Sequence, residues 1–444
     1  APGQNPPPSP APTPDVGALT LRAALSHSSY SQAVADSLLL KLDYAAVAAP
    51  ASDRPPLNIA LVIDRSGSMK EDMKFPYAIE AAREVIANLS ERDIVSVIAF
   101  NERVLVLSPA GRAVNKPFLY HSLEEVTPAG MTDLSAALLE GIAQVKSQSA
   151  EGQVKQVLVL TDGRSNHGIT SPASLRKLVE KAHARGIGLS TLGCGADFDG
   201  KLLADLANAG AGRYTYVRSA EEIPGAFKEE LRGLIDVTAQ NARLEISIEH
   251  GAITKVFGQV WDAPVSSHQI TMGNLRAGER GIVVLALKPA NLKPGATIRA
   301  TTKLIFDDTE AGERIVRSTV SQAEFSPGNS PQKTAQNEEI VIYAGLLKAL
   351  EAATEGVEST DRQRYRETVA NFAQWHGKAR KFALDTRNQD LLNHTFVLKH
   401  LLEDMEVAEA QGKLHDHTEV RAKLKNESDY QRYLLSHNRG PVPH

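Results

Sequence analysis

Apolar residues in the central part of the chain follow two alternating patterns. Short, mostly aliphatic runs such as "LNIALVID" and "VKQVLVLTD" are bounded by polar or glycine residues, which is typical of strands buried on both faces. Between them lie stretches such as "YAIEAAREVIANLS", in which apolar residues recur at helical spacing: Ile79, Ala82, Ile86 and Leu89. Strands that alternate with helices predict an α/β domain with a doubly wound, mainly parallel sheet over residues 53–236.

A different pattern, with a two-residue period, lies C-terminal to that region. In "ARLEISIEH", Leu244, Ile246 and Ile248 alternate with polar side chains, and "GIVVLALKP" and "ATIRATTKLIFDD" are further strand-like runs. Turn signals such as "KPG" and "DDTEAGE" separate these runs. Residues 237–326 are therefore predicted to form most of an antiparallel β-sandwich.

Two strand-like runs, "LTLRAAL" and "DSLLLKLDYAAV", lie within residues 17–52. Two strands alone do not make a stable unit. We predict that they are the first strands of the same sandwich, and that the α/β domain is inserted between its second and third strands. Such an insertion is feasible because the termini of α/β domains often lie close together.

The two ends of the chain differ from these regions. The opening "APGQNPPPSPAPTPD" is rich in proline and has no apolar core, so residues 1–16 are predicted to form an extended linker. "SPGNSPQK" indicates a second linker, at residues 327–336. Residues 337–444 carry apolar side chains at i, i+3 and i+4 with charges between them, which predicts a helical C-terminal region of two or three helices.

The composition narrows the classes of partner. The chain has 49 Lys and Arg against 53 Asp and Glu, and aromatic residues make up only 5%. Neither a basic surface nor base-stacking side chains are therefore expected, which argues against nucleic acid as a partner. No stretch approaches the roughly 18 apolar residues that a membrane-spanning helix needs. The proline-rich start without Met would suit a mature exported protein, periplasmic, cell-surface or secreted, and we favour that interpretation over an arbitrary boundary.

Oxygen-bearing side chains follow two of the predicted parallel strands. Asp64, Ser66 and Ser68 lie in "DRSGS" after one apolar run, and Asp162 follows another, while Thr132 lies before a helix in "GMTDL". Because ligand sites form at the carboxyl ends of parallel strands, these five side chains are expected to meet at one edge of the sheet. They are hard oxygen donors of the kind that Mg²⁺ prefers, and the absence of His and Cys from the three motifs disfavours zinc.

The pattern of these motifs resembles the metal-ion-dependent adhesion site, DxSxS–T–D, of von Willebrand factor A (vWA) domains. "GRYTYVRSAEEIPGAFKEEL" also resembles the last strand and helix of that domain, so the resemblance runs over about residues 57–235. More broadly, the layout is similar to bacterial proteins in which this Rossmann-like domain lies beside β-rich segments, as in the inter-α-trypsin-inhibitor-type arrangement.

The resemblance implies a role for each of the five residues. Ser66, Ser68 and Thr132 would bind the metal directly, while Asp64 and Asp162 would act mostly through water. The ion would be Mg²⁺, although Mn²⁺ or Ca²⁺ would also fit the donors. Since the direct protein ligands are neutral, the ion would keep enough positive charge to recruit an Asp or Glu from a protein partner.

From these features we predict a non-catalytic, metal-dependent protein-binding or adhesion module. The alternative is an assembly or chaperone-like factor that acts with a separate ATPase or metal-inserting enzyme. A hydrolase at the same site is the third and least favoured interpretation.

Each motif also has a simpler interpretation. Taken alone, "DRSGS" could be a turn that caps the next helix. In the metal-site interpretation, Gly67 relaxes the backbone so that both serines can point inward. As a phosphotransferase nucleophile, Asp64 would usually need a second carboxylate two residues on, where Ser66 stands. A serine hydrolase would need a G-x-S-x-G elbow and a partnered histidine, but "DRSGSM" lacks the first glycine and His167 is expected to lie exposed in its loop.

Three other features are also expected to be structural. "GCGADFDG" lacks the spacing of a phosphate loop and is predicted to be a tight turn between a strand and a helix. The single cysteine, Cys194, excludes an internal disulfide and is expected to pack in the core. The C-terminal histidines show no zinc-protease spacing and are predicted to lie on solvated helix faces: His376, His394, His400, His415 and His417.

Overall fold

The computed structural model describes residues 18–437, apart from 33–34, 36–37, 47–53, 125, 260, 262, 328–334, 360 and 412–417. The proline-rich linker predicted at residues 1–16 and most of the linker predicted at 327–336 lie outside the described residues.

The chain begins with three strands that the α/β domain separates from the rest of their sheets. These strands are β1 (Leu19–Leu25), β2 (Ser29–Tyr30) and β3 (Leu38–Ala46). The insertion therefore follows the third strand and not the second, because β2 is only two residues long and has no periodicity that a sequence pattern could reveal.

The α/β domain is built on a six-stranded sheet with helices on both faces. Its strands are β4 (Leu57–Asp64), β5 (Ile94–Phe100), β6 (Val104–Arg112), β7 (Val154–Thr161), β8 (Ile187–Cys194) and β9 (Ala211–Val217). Its helices are α1 (Lys74–Asn88), α2 (Lys116–Glu124), α3 (Leu134–Ser147), α4 (Pro172–His183), α5 (Gly200–Ala209) and α6 (Ile223–Ile235). The strand order is β6-β5-β4-β7-β8-β9, and every neighbouring pair is parallel except β5 and β6. The predicted doubly wound, mainly parallel sheet is confirmed.

Strand β4 shows why the central strands are apolar at every position. Its alternate side chains enter two different cores: Leu61 and Ile63 pack toward α1 and α6, while Ala60 and Val62 pack toward α3 and α5. All eight residues of β4 are buried, because helices cover both faces of the sheet. The carboxyl end of β4, with Asp64, is thereby held firmly at the edge of the sheet.

The remaining strands complete the sandwich. They are β10 (Val237–Glu249), β11 (Gly251–Val256), β12 (Ser267–Arg276), β13 (Arg280–Pro289), β14 (Thr297–Asp308) and β15 (Arg314–Phe325). One sheet has the order β1-β3-β13-β11 and the other β12-β10-β14-β15-β2. The early strands thus pair within the same sandwich, as predicted, and alternate side chains such as Leu40 and Ile246 meet in its core.

Four helices follow in the described part of the chain, where two or three were expected: α7 (Ala335–Glu358), α8 (Arg362–Thr386), α9 (Gln389–Ala410) and α10 (Thr418–His437). Helices α7 and α10 pack on the outer face of the four-stranded sheet, and α8 and α9 pack against other helices of this region. Leu39 and Val284 of that sheet share a core with α7. Lys41 on that face is buried as well, and its ammonium group contacts Glu339 of α7 at 2.8 Å. We retain residues 53–236 and 337–444 as the proposed bounds of the α/β and helical domains.

The packing of these helices corrects one prediction. His376 and His394 are buried, with only 7% and 2% of their surfaces exposed, whereas His400 is exposed as predicted. The Nε2 of His376 lies 2.7 Å from the Thr395 carbonyl oxygen of the next helix. The other two of these five histidines, His415 and His417, lie outside the described residues.

Within the described part of the chain, no helix combines the length and the apolarity that crossing a membrane requires.

Candidate functional site

The structure brings the five predicted site residues to one edge of the parallel sheet. They come from the end of β4, the end of β7 and the loop before α3. They are Asp64, Ser66, Ser68, Thr132 and Asp162. Their role as metal ligands stays a prediction.

Asp64 is the last residue of β4 and is fully buried. Its Oδ1 accepts a 2.7 Å hydrogen bond from the backbone N–H of Ser66, and its Oδ2 accepts one of 2.5 Å from the hydroxyl of Thr161. Burial raises the pKa of Asp64 to about 6, although these hydrogen bonds oppose the rise. The carboxylate therefore fixes the start of the "DRSGS" turn and lies in a place that favours a nearby positive charge.

The two serines of the motif point toward one another. Ser66 Oγ and Ser68 Oγ lie 3.2 Å apart. The glycine between them has no left-handed φ, and a Cβ at Gly67 would meet only the Gly130 carbonyl oxygen at 3.5 Å, an ordinary contact. The expectation that Gly67 is needed to relax the backbone is therefore wrong. The unusual backbone comes later, at Asp72 and Met73, with φ of 51° and 60°.

Thr132 is held by a loop that crosses from the far side of the sheet. Its N–H donates to Asn166 Oδ1 at 2.9 Å, and its carbonyl accepts from the N–H groups of Asn166 and His167. Gly130 lets this loop turn with a φ of 84° close to Asn101, where a side chain would clash. A Cβ on Gly163 would lie 3.2 Å from Thr132 Oγ1 and 3.9 Å from Ser68 Oγ, so the bare glycine leaves open the space beside both hydroxyls.

Asp162 follows β7 and is also buried. Its Oδ1 accepts a 2.7 Å hydrogen bond from Ser68 Oγ. Its Oδ2 accepts one of 2.8 Å from the ammonium group of Lys74. Asp162 therefore links the serine turn to a positive charge that already belongs to the protein.

Lys74 was missed by sequence reasoning, although a signal was present. It is the first residue of α1, and only 11% of its side chain is exposed. Extending the apolar stripe of α1 back by one turn, from Ala82 through Ala78, leads to Lys74. A lysine on a buried helix face requires a partner, and the partner here is the predicted site residue Asp162.

The donors present fit a hard cation. In the parts of the chain that the structure describes, no three His, Cys, Asp or Glu side chains cluster as metal ligands, so any ion here would depend on hydroxyl oxygens. Three neutral hydroxyls flanked by two buried carboxylates suit Mg²⁺ better than zinc.

A second cluster lies beside the first but has a structural explanation. Asp133 caps α3 by accepting from the N–H of Ala136 at 2.9 Å and from Ser135 Oγ at 2.6 Å. Its other oxygen lies 3.3 Å from Nδ1 of His167, whose side chain is 48% exposed, as predicted. Because the serine and the histidine both contact the carboxylate and not each other, this is not the arrangement of a hydrolase triad.

The turn after β8 is also structural, as expected. Residues 195–199 connect β8 directly to α5, where Asp199 caps the helix by accepting from the N–H of Leu202. Cys194 at the end of β8 is only 1% exposed, and burial raises the pKa of its thiol to about 12. This cysteine is an inert packing residue.

The domain can now be assigned to a family, because residues 58–229 match the family described as von Willebrand factor type A domain. The chain contains a vWA domain. Domains of this family often bind a divalent metal at a motif of the kind described above, and the family points to protein interaction as its general role.

Related sequences differ in how much of their length the chain matches. It is 25% identical over 218 residues to uncharacterized protein YfbK of Escherichia coli, which is 49% of this chain and 38% of that protein. It is 27% identical over 338 residues to uncharacterized protein sll0103 of Synechocystis, which is 72% of this chain and 79% of that one. The match to mouse inter-alpha-trypsin inhibitor heavy chain H2 is 29% over 168 residues, which covers 36% of this chain and 18% of that protein.

Two solved structures share the fold over most of the chain. The von Willebrand factor type A protein of Catenulispora acidiphila superposes with a TM-score of 0.67 at 15% identity, covering 88% of this chain and 89% of that one. The ArnB paralog VWA2 of Sulfolobus acidocaldarius gives 0.58 at 14% identity, covering 93% and 98%. At such identities the likeness concerns the fold alone, and it extends beyond the vWA domain.

The vWA site opens into a cleft of about 1120 Å³ whose far wall belongs to another part of the chain. Residues at the start of α10, among them Thr418, Ala422 and Lys423, line the cleft together with the loops that carry the candidate site. On the rim, Met73 and Met131 are 60% and 49% exposed. The C-terminal helical region therefore reaches the edge of the sheet that carries the five residues.

Proposed function

We propose that this chain is a non-catalytic protein-binding or adhesion module that works through a metal ion at the edge of its vWA sheet. Ser66, Ser68 and Thr132 would hold Mg²⁺ directly, and Asp64 and Asp162 would support it mostly through water. When bound, the ion would supply a positive charge that a partner's Asp or Glu completes. The observation that carries the proposal is the 3.2 Å separation of the Ser66 and Ser68 hydroxyl oxygens.

The hydrogen-bond directions support this proposal. Ser68 uses its proton toward Asp162, so its oxygen lone pairs remain available to accept a cation. Asp64 accepts its hydrogen bonds from neutral donors, Ser66 and Thr161. A buried carboxylate with neutral neighbours favours a cation close by, and the hydroxyls supply the place for it.

The contacts of the site hydroxyls favour binding over catalysis. Ser66 and Ser68 contact each other and Ser68 donates to Asp162, whereas the nearby His167 contacts Asp133. A serine nucleophile would need the histidine as its base. The carboxylate at the end of β4 is followed by hydroxyls and not by a second acid, which is a poor arrangement for phosphoryl transfer.

The rim of the cleft suggests the chemistry of the partner segment. Met73 and Met131 expose large apolar surfaces beside the site, and flexible methionines are common on adaptable binding surfaces. We infer that the partner presents a carboxylate flanked by apolar side chains, within a segment narrow enough to pass between the loops and α10.

Capture of the partner from the native source with and without chelator tests the proposal. We expect proteins that bind the wild type in Mg²⁺ to be lost in EDTA and restored by added Mg²⁺ or Mn²⁺. Ser66→Ala and Thr132→Ala should lose the same proteins while melting at nearly the wild-type temperature. Ser122→Ala is the matched control, because it removes a hydroxyl that bonds only within α2, to Leu119. If the same proteins are captured in EDTA and by both site variants, the proposal is wrong.

A further inference from the structure

The side chain of Lys74 is held in a buried position beside the proposed metal site. Its ammonium group lies 2.8 Å from Asp162 Oδ2, and the Asp162 side chain is fully buried. The end of the lysine side chain passes over Gly195, where a Cβ would lie 3.6 Å from Cε and 3.7 Å from Nζ. The charge is therefore enclosed between the ends of β7 and β8 and does not extend into bulk solvent.

The backbone before Lys74 is arranged to direct it inward. Asp72 and Met73 both adopt left-handed backbone conformations, with φ of 51° and 60°, although neither is glycine. Such conformations cost energy in residues with a Cβ, and they persist where the surrounding structure requires them. Here the turn exposes Met73 on the rim and starts α1 with Lys74 pointing at Asp162.

The positive charge of Lys74 opposes a bound cation. Asp64 and Asp162 together contribute two negative charges when ionised, and Lys74 neutralises one of them in advance. In a buried site with a low effective dielectric, a fixed ammonium group repels a divalent ion more strongly than it would in water. The same ammonium group keeps Asp162, and through it the Ser68 hydroxyl, in place when no metal is bound.

We propose that Lys74 is a built-in counter-ion that sets the metal affinity of this site: it stabilises the metal-free arrangement and weakens divalent cation binding. This inference rests on the metal site of the proposed function. It assigns the protein a site that fills only where the concentration of divalent cations is high, and that stays ordered when it is empty.

Titration of purified full-length protein with Mg²⁺, at constant ionic strength, tests the inference by calorimetry. Lys74→Gln should bind Mg²⁺ at least about tenfold more tightly than the wild type, a change of about 1.4 kcal/mol. Lys74→Arg keeps the charge and should stay within about twofold of the wild type. Lys70→Gln is the matched control, because it removes the same charge from an exposed position in the same segment, and it should also stay near the wild type.

Melting temperatures provide a second readout that does not depend on affinity alone. Without metal, Lys74→Gln should melt below the wild type, because Asp162 loses its buried partner. Saturating Mg²⁺ should remove most of that difference. A Lys74→Gln protein that remains destabilised or unfolded in saturating Mg²⁺ would overturn the inference, since the lysine would then be needed for more than its charge.

The outcomes separate this inference from the proposed function. Tighter binding by Lys74→Gln, including binding gained by the variant alone, supports the inference. Wild-type binding that is unchanged or weakened in Lys74→Gln overturns the inference and leaves the metal site intact. Absence of Mg²⁺ binding in both proteins overturns the metal site, and with it this role for Lys74.

Discussion

The guanidinium of Arg218 donates a 2.8 Å hydrogen bond to the carboxylate of Glu427, and this contact joins the end of β9 to the C-terminal helix α10. At the preceding residue, the side-chain amide of Asn426 donates to the Ala196 carbonyl in the turn after β8. Tyr433 lies edge-to-face against Tyr214 of β9 at 5.7 Å. The helix that lines the cleft at the candidate site is thus attached to the vWA domain by polar and aromatic contacts.

Glu427→Ala should weaken the attachment of α10 to the vWA domain. The side chain of Glu427 is 14% exposed and that of Arg218 is 31% exposed. The stabilisation free energy lost with this ion pair should therefore lie between the values for exposed and buried pairs, at about 1–2 kcal/mol. Hydrogen exchange of α10 amides should become about tenfold faster, with little change in β4 or β7. Glu419→Ala is the control, because Glu419 pairs only with exposed Lys423 on the same helix. Equal exchange in both variants would show that the Arg218 contact does not hold the helix.

Leu434→Ala should destabilise the folded chain through lost packing. Leu434 is 4% exposed and belongs to the core that α10 shares with Tyr214 and α5. Removing a buried leucine side chain costs about 2–5 kcal/mol, which urea unfolding would measure. Leu384→Ala, at a position on α8 that is 55% exposed, should cost less than about 0.5 kcal/mol. A Leu434→Ala protein as stable as the control would contradict the observed docking of α10.

Gly163→Ala should damage the site without unfolding the domain. The added Cβ would lie 3.2 Å from Thr132 Oγ1 and 3.9 Å from Ser68 Oγ, in the space that the hydroxyls face. We expect Mg²⁺ binding to weaken at least about tenfold, as measured by calorimetry.

Gly67→Ala is the matched control, because its Cβ would make only an ordinary contact with the Gly130 carbonyl oxygen. It should retain Mg²⁺ affinity. If Gly163→Ala binds as well as Gly67→Ala, the ion does not lie between the two hydroxyls.

Because of Asp93, the free energy of unfolding should decrease as the pH falls into the acid range. Its fully buried carboxylate accepts from Arg54 at 2.6 Å and from the backbone N–H groups of Leu57 and Ser90. Burial alone would raise the pKa of Asp93, but these bonds lower it to about 2. Because the folded pKa lies below the unfolded value, the stabilisation is present above about pH 4 and is lost toward pH 2, roughly 2 kcal/mol in all.

The comparison with Asp93→Asn measures this contribution. Urea unfolding should show the wild type more stable by about 2 kcal/mol at pH 7, with the difference reduced by about half at pH 3. A difference that is independent of pH would assign the effect of Asp93 to its shape and not to its charge.

Local patterns of apolar and polar residues were sufficient to predict most of the fold. The eight-residue apolar run of β4 and the two-residue period of β10 each depend on burial of neighbouring side chains, and both were recognised correctly. That β3 belongs to the sandwich, where it pairs with β13, was predicted from the instability of isolated strands, although its partner was not. By contrast, the two-residue β2 is too short to show any period.

Long-range contacts explain what the sequence could not reveal. The motif residues Ser66, Thr132 and Asp162 could be brought together because parallel strands end at one edge of a sheet. The return of α10 to that edge depends on contacts more than 200 residues apart, such as Tyr433 with Tyr214. The buried His376 likewise depends on the position of a neighbouring helix, which its own segment does not specify.

The most direct test of the central claim is equilibrium binding of Mn²⁺, followed by loss of the free-ion signal in electron paramagnetic resonance. We predict that the wild type binds one Mn²⁺ per chain and that Mg²⁺ displaces it. Ser66→Ala and Thr132→Ala should each weaken this binding at least about tenfold, while Ser122→Ala leaves it unchanged. Absence of binding by both the wild type and Lys74→Gln, or equal binding by the wild type and its three serine and threonine variants, would contradict a metal site built from these hydroxyls.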